Sequence, residues 1–137
     1  MGSARNLIVL DTNAWLFWLH DPERLSPEAR ERVRSATQED CALVSVISVW
    51  EVALKNALGK LALPMEIGAW LERAVTYPGI SIESLGPREA IGSTRLPGAF
   101  HKDPADRFIV SLARNLGVPL VTADEKIRAY PHVETPW

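Results

Sequence analysis

Four acidic residues occupy positions from which they could work on one substrate. Asp11 directly follows the apolar run Leu7-Ile8-Val9-Leu10, and Asp124 lies two residues after the run Pro119-Leu120-Val121-Thr122. Glu51 is placed in the first turn of a helix that follows the run Cys41-Ala42-Leu43-Val44-Ser45-Val46, and Asp106 in the first turn of a long helix begun by Asp103-Pro104. In a parallel sheet the carboxyl ends of the strands share one edge, where open α/β folds bind ligands. These four acids, far apart in sequence, are therefore expected to meet there. Ionised carboxylates at ~4 Å repel by about 4 kcal/mol per pair at an effective dielectric near 20, so either protons or a cation must neutralise them. All-oxygen ligation suits a hard divalent ion such as Mg2+ or Mn2+ rather than zinc. The chemistry that such a site supports is hydrolysis of a phosphate ester by an activated water.

Helix capping offers a second explanation for three of the four. Ser48-x-x-Glu51 has the form of a capping box, and Asp103-Pro104-Ala105-Asp106 reads as a cap, a proline at the first helical position and an acid in the first turn. Asp124 is placed to cap a short helix of its own, and all three sit well with the helix macrodipole. Asp11 has the least structural excuse, because a buried strand end gains little from a charge. What favours a site is the joint placement, since independent caps need not converge on one edge.

The elements that must position these acids follow from hydrophobic pattern. The three apolar runs named above suit strands covered on both faces, as in a parallel sheet with helices on either side. Ile80 to Ile82 reads as a further strand, and a last short one is expected near Val133. Ser26-Pro27 opens a charged helix that reaches about Ala36. Ser48 to Leu58 has helix-forming composition and ends at Gly59. Ile67, Trp70, Leu71, Ala74 and Val75 form one apolar helical stripe. Pro87 to Thr94 is a shorter helix. Ala105, Phe108, Ile109, Leu112, Ala113 and Leu116 repeat the stripe, and Gly117 is a natural stop. The alternation predicts an α/β sandwich with a mostly parallel sheet and right-handed crossovers.

Bulk properties bound what this fold could do. The chain has 137 residues, 47% of them hydrophobic, which fits one domain spanning 1–137 with a core of its own. Seventeen acids against fifteen bases give a formal charge of −2, which excludes tight binding of nucleic acid by bulk electrostatics alone. Once the four site acids are set aside, thirteen acids face the fifteen bases, so the acidity belongs to the pocket rather than to the surface. One cysteine, Cys41, cannot form an internal disulfide, and a reducing cytoplasm is expected. No apolar run approaches the roughly 18 residues of a membrane span.

The ordered set Leu-Asp11-Thr12-Asn13, Ser45-x-x-Ser48-x-x-Glu51, Asp103-Pro-Ala-Asp106-Arg107 and Val-Thr122-Ala-Asp124 resembles the successive motifs of PIN domains. It looks closest to the VapC-type toxins of toxin–antitoxin modules. Each motif alone is weak, whereas the set, running from Leu7 to about Trp137, is specific. The resemblance implies a three-layer α/β/α sandwich with a mostly parallel central sheet. It also implies a metal-dependent endoribonuclease with its acidic site at Asp11, Glu51, Asp106 and Asp124, a tightly bound antitoxin protein and a homodimer.

Around that site, Asn13 adjoins the acids and Thr12 and Thr122 carry hydroxyls able to orient carboxylates or water, turn and cap hydrogen bonding being the other explanation for all three; Asp103 is expected as a helix cap with at most an outer role. An RNA phosphodiester approaching four acids needs a positive rim, and Lys55, His101, Lys102 and Arg107 are the expected guiding groups. His20 and His132 have no motif spacing. Trp15 and Trp18, with Leu16, Phe17 and Leu19, make an apolar segment too wide for one core, which suits either a dimer or antitoxin surface or a helix buried on two sides. Trp50 and Trp70 are expected in the core.

Two other classes share some of these features. A receiver-like phosphoacceptor domain also gathers acids and Mg2+ at strand ends, and Lys126 stands near where its lysine would, yet Glu51 and the Asp103–Asp106 turn have no place in it. A phosphatase of the haloacid dehalogenase type wants an aspartate where Asn13 stands. A catalytically silent antitoxin-binding module is the remaining alternative. No phosphate-cradling glycine loop, nucleophile elbow or zinc signature occurs.

Overall fold

The computed structural model describes residues 6–137 and alternates strand and helix along the chain. In order these are β1 (Ile8–Leu10), α1 (Thr12–His20), a 3-10 turn (Pro22–Arg24), α2 (Pro27–Gln38), β2 (Ala42–Ser45), α3 (Val46–Ala57) and α4 (Ile67–Val75). They continue with β3 (Ile80–Glu83), α5 (Pro87–Ser93), α6 (Pro104–Leu116), β4 (Leu120–Val121) and α7 (Glu125–Arg128). The strands form one sheet in the order β3-β2-β1-β4, with every neighbouring pair parallel. Leu10 lies opposite Val44 on one side and Val121 on the other, so β1, β2 and β4 end at one level. Asp11, Ser45 and Thr122 thereby arrive at the same edge.

Strand alternation builds two cores, one on each face of the sheet. Ile8, Leu10, Ala42, Val44, Ile80 and Val121 point to one face, where Ala14, Trp15, Val33, Val52 and Trp70 cover them from α1 to α4. Val9, Leu43 and Leu120 point to the other, under Ile109, Val110, Leu112 and Ala113 of α6, Ile127 of α7 and Tyr130. That is the three-layer sandwich expected.

Local signals explain most of the boundaries. Ser26 accepts from the Ala29 N–H and Pro27 takes the first helical position, so α2 starts where the sequence indicates. Gly117 ends α6 with φ of 67°, a left-handed conformation that favours glycine. Gly79, at φ 83°, leads into β3 so close to α2 that an added Cβ would stand 2.2 Å from the Thr37 carbonyl oxygen.

The structure corrects four expectations. The helix carrying Glu51 is capped by Ser45, which accepts from the Ile47 N–H; Ser48-x-x-Glu51 is not a capping box, and Glu51 lies in the second turn. β2 runs to Ser45, so the helix must begin at once, three residues before the expected cap. Asp11 does have a structural role as well, since it caps α1 by accepting from the Ala14 N–H at 2.8 Å. Trp50 is 53% exposed rather than in the core, whereas Trp70 is buried. No strand forms near Val133; a single bond from the Leu120 N–H to the Glu134 carbonyl is what remains of it.

Candidate active site

Each acid reaches the pocket from a different element. Asp11 ends β1 and caps α1; Glu51 projects from α3; Asp106 sits in the first turn of α6; Asp124 caps α7, accepting from the Lys126 and Ile127 N–H groups. All four line a single small cavity of about 120 Å³, together with Thr12, Asn13, Lys55 and Asp103. Its walls are almost wholly polar, in contrast to the apolar grooves elsewhere on the molecule.

Two threonines hold two of the carboxylates. The Thr122 hydroxyl donates to Oδ2 of Asp11 and accepts the Asp124 N–H at 3.0 Å, which ties β1 to the loop after β4. The Thr12 hydroxyl contacts both Oε1 of Glu51 and, at 2.7 Å, the Ser48 hydroxyl. A hydroxyl has one hydrogen and an ionised carboxylate only accepts, so Thr12 donates to Glu51 and Ser48 donates to Thr12. Ser48 is fully buried and belongs to this support, a role the capping-box reading concealed. Its spacing, three residues before Glu51 on one helix face, is the signal that could have found it.

Charge is concentrated and largely uncompensated. Burial pushes the Asp11 carboxyl up to about 6 against the lowering effect of its bonds from Thr122 and Ala14, and the charges of Asp124 and Glu51 add to the rise. Asp106 is pushed up to about 7, chiefly by burial and then by Asp103, Asp124, Glu51 and Asp11. Lys55 lines the cavity, yet the ion pairs among the described residues are Arg34–Glu31 and His101–Asp106, so no lysine or arginine neutralises the acids.

The donor set fits a hard divalent cation, being all oxygen and carrying excess negative charge. The carboxylates surround the cavity rather than close on one point. Among the described residues no three acidic, histidine or cysteine side chains form a ready-made coordination cluster. Mg2+ tolerates such a site because it keeps several of its waters and needs only one or two direct carboxylates.

The remaining expected residues divide. Asn13 is exposed at the cavity's edge. Asp103 caps α6 as expected, accepting from the Asp106 N–H at 3.2 Å. Lys102 is exposed beside the site, and Lys55 is half-buried within it. Arg107 is turned away. Its guanidinium donates to the Ser93 carbonyl at 2.8 Å and to those of Phe100 and His101 at 3.2 Å each, so it binds α6 to the preceding loop instead of facing the rim. The His101 Nε2 lies 3.2 Å from Oδ2 of Asp106.

An all-parallel sheet between two helical layers, with acids from β1, α3, α6 and α7 at its carboxyl edge, is the arrangement expected of a PIN domain. The chain belongs to the PIN domain family, whose model matches residues 8–133. It is 30% identical over 125 residues to Ribonuclease VapC22 of Mycobacterium tuberculosis, a match spanning 91% of this chain and 92% of that protein. The same fold recurs in DNA-bound VapBC from Salmonella typhimurium, with TM-score 0.69 and 19% identity over 94% of this chain and 96% of that one. It recurs again in VapBC2 from Rickettsia felis bound to a promoter DNA fragment, with TM-score 0.66 and 15% identity over 94% and 97%. The resemblance drawn from the four motifs is borne out.

Proposed function

We propose that this protein is a metal-dependent endoribonuclease, the VapC-type toxin of a toxin–antitoxin pair, working in the cytoplasm with Mg2+ or Mn2+ held by Asp11, Glu51, Asp106 and Asp124. The observation that carries this reading is the meeting of those four acids, from four separate elements, in one polar cavity. Its support is membership of the PIN family and a relative named as a ribonuclease.

A hard divalent cation supplies Lewis acidity, which makes water nucleophilic near neutral pH and offsets charge on the leaving oxygen. The chain's own contribution is position. Asp11 is held by two hydrogen bonds and has no freedom to turn from the cavity, and Thr12 holds Glu51 in the same way. Lys55, inside the cavity wall, meets the scissile phosphate, and Lys102 meets a neighbouring one. Asn13 orients substrate at the edge, while Asp103 serves through its cap of α6.

Partners follow from the uncovered apolar surface. Val46, Trp50 and Leu54 of α3 and its C-cap residue Leu58 recur at every fourth residue and are 38%, 53%, 40% and 59% exposed. A second copy of the chain covers this row in the homodimer. The antitoxin occupies the groove of Leu16, Phe17, Leu63 and Pro64, which reaches the acidic cavity at Asn13. Among the described residues no helix is long and apolar enough to cross a membrane.

A receiver-like domain is less well supported. Glu51 and Asp103 share the cavity with Asp11, and the lysine in its wall is Lys55, while Lys126 lines the neighbouring depression. The test is to incubate the purified protein with structured RNAs and Mg2+ or Mn2+, and separately with an acyl-phosphate donor. Internal cleavage of RNA without labelling of Asp11 is expected. Labelling of Asp11 without cleavage would overturn the proposal.

A further inference from the structure

His101 stands in a loop without regular secondary structure, yet that loop is tightly held. Arg107 donates to the carbonyls of Phe100 and His101, and the Tyr130 hydroxyl donates to that of Pro97. The Phe100 ring packs between His101 and Tyr130, with centroid distances of 4.4 and 4.8 Å. Fixing an irregular segment at this many points opposes the backbone entropy of the loop, so the position of His101 is specified rather than incidental.

The imidazole Nε2 is buried, lies 3.2 Å from Oδ2 of Asp106, and has no well-aligned hydrogen-bond partner. The distance is within hydrogen-bond reach, while the alignment falls short of a well-formed bond. A group that guides phosphates must present its polar head to solvent. The Nε2 atom of His101 does the opposite, whereas Lys102 beside it is exposed.

We infer that His101 is a positioning residue for Asp106: its Nε2–H takes one carboxylate oxygen and leaves the other to face the cavity and the metal. The inference rests on Asp106 being a metal-holding carboxylate. It gives His101, which lines the depression beside the cavity with Asp103, Asp106 and Asp124, a role through Asp106 rather than through phosphate contact. Outer partners of ligating groups commonly change metal affinity 10–100-fold when removed. A neutral imidazole with its proton on Nε2 suffices, so no change of charge is involved.

The test compares His101→Ala and His101→Gln with the unaltered protein. Mn2+ binding is followed by titration calorimetry and the thermal midpoint is read in EDTA, with KM and kcat on RNA measured separately. In His101→Ala, Mn2+ affinity should fall at least ten-fold with KM for RNA little changed. His101→Gln, which restores an N–H donor, should recover much of that affinity. Unchanged Mn2+ affinity with a raised KM would overturn the inference and return His101 to phosphate contact. Equal losses in both variants, with a lowered midpoint in EDTA, would also overturn it and leave only a role in loop packing. Failure of the underlying reading looks different: the unaltered protein would bind no Mn2+, and Asp106→Asn would cleave RNA normally.

Discussion

The Thr122 hydroxyl donates to Oδ2 of Asp11 across 111 positions of sequence, and both side chains are buried. This bond joins β1 to the end of β4 at the point where the acidic cavity opens. It also fixes the orientation of the most deeply buried acid in the cavity.

Replacing Thr122 by valine keeps the shape and removes both the donor to Asp11 and the acceptor of the Asp124 N–H. A hydrogen bond to a charged group contributes about 1.5–3 kcal/mol. Thr122→Val should therefore lose stability of that order in urea melts at pH 8, where Asp11 is ionised, and cleave RNA more slowly. Thr122→Ser should retain most of both. Equal stability of the valine variant at pH 8 would show that the bond contributes little.

The raised carboxyls predict an unusual pH dependence. Asp11 at about 6 and Asp106 at about 7 exceed their ordinary value of 3.8. Between roughly pH 4 and 7 the folded chain holds protons that the unfolded chain has released, so stability contributed by this pair falls as pH rises through that window. In EDTA, denaturant melts should show this loss between pH 5 and pH 8, and Asp106→Asn should reduce it. Mg2+ or Mn2+ should restore stability at pH 8 far more than at pH 5, because binding to the folded state alone stabilises it and the ionised acids bind best. A metal effect equal at both values would contradict this.

Arg107 was expected at the substrate rim and is instead a clasp between α6 and two preceding segments. Arg107→Lys keeps the charge and loses the planar fork that reaches three carbonyls. The expected result is a thermal midpoint lower by several degrees and a lower kcat. A variant with an unchanged midpoint and only a higher KM would instead support phosphate contact.

Trp50 lies on the exposed row of α3. Trp50→Glu should leave the stability of the single chain within about 0.5 kcal/mol, as surface changes usually do. Sedimentation should then report a shift from dimer to monomer. A monomeric unaltered protein, or a dimer indifferent to Trp50→Glu, would remove α3 as the contact.

The four strands that form, the α6 stripe, Gly117 and the Asp103 cap were legible because each rests on local chemistry, whereas the strand expected near Val133 does not form. What was not legible depended on neighbours. Ser45 and Ser48 are equally good caps in isolation, and only the length of β2 decides between them. Trp50 shares a helix with Val49 and Val52, so α3 is apolar on more than one side, and its sequence does not say which side meets the sheet. Arg107 follows a site acid directly in sequence, yet helical geometry turns it toward Ser93 and Phe100. The meeting of Asp11, Glu51, Asp106 and Asp124 in one cavity was legible because the apolar runs mark strands whose carboxyl ends share one edge, and the helices carrying Glu51 and Asp106 begin at that edge.

The most direct test of the account is RNA cleavage by the unaltered protein and by Asp11→Asn, Glu51→Gln, Asp106→Asn and Asp124→Asn, each with Mn2+ and with EDTA. Cleavage should require the ion and fall by at least a hundredfold in each variant, with far-ultraviolet circular dichroism unchanged. Cleavage that persists in EDTA, or full activity in Asp106→Asn, would contradict it.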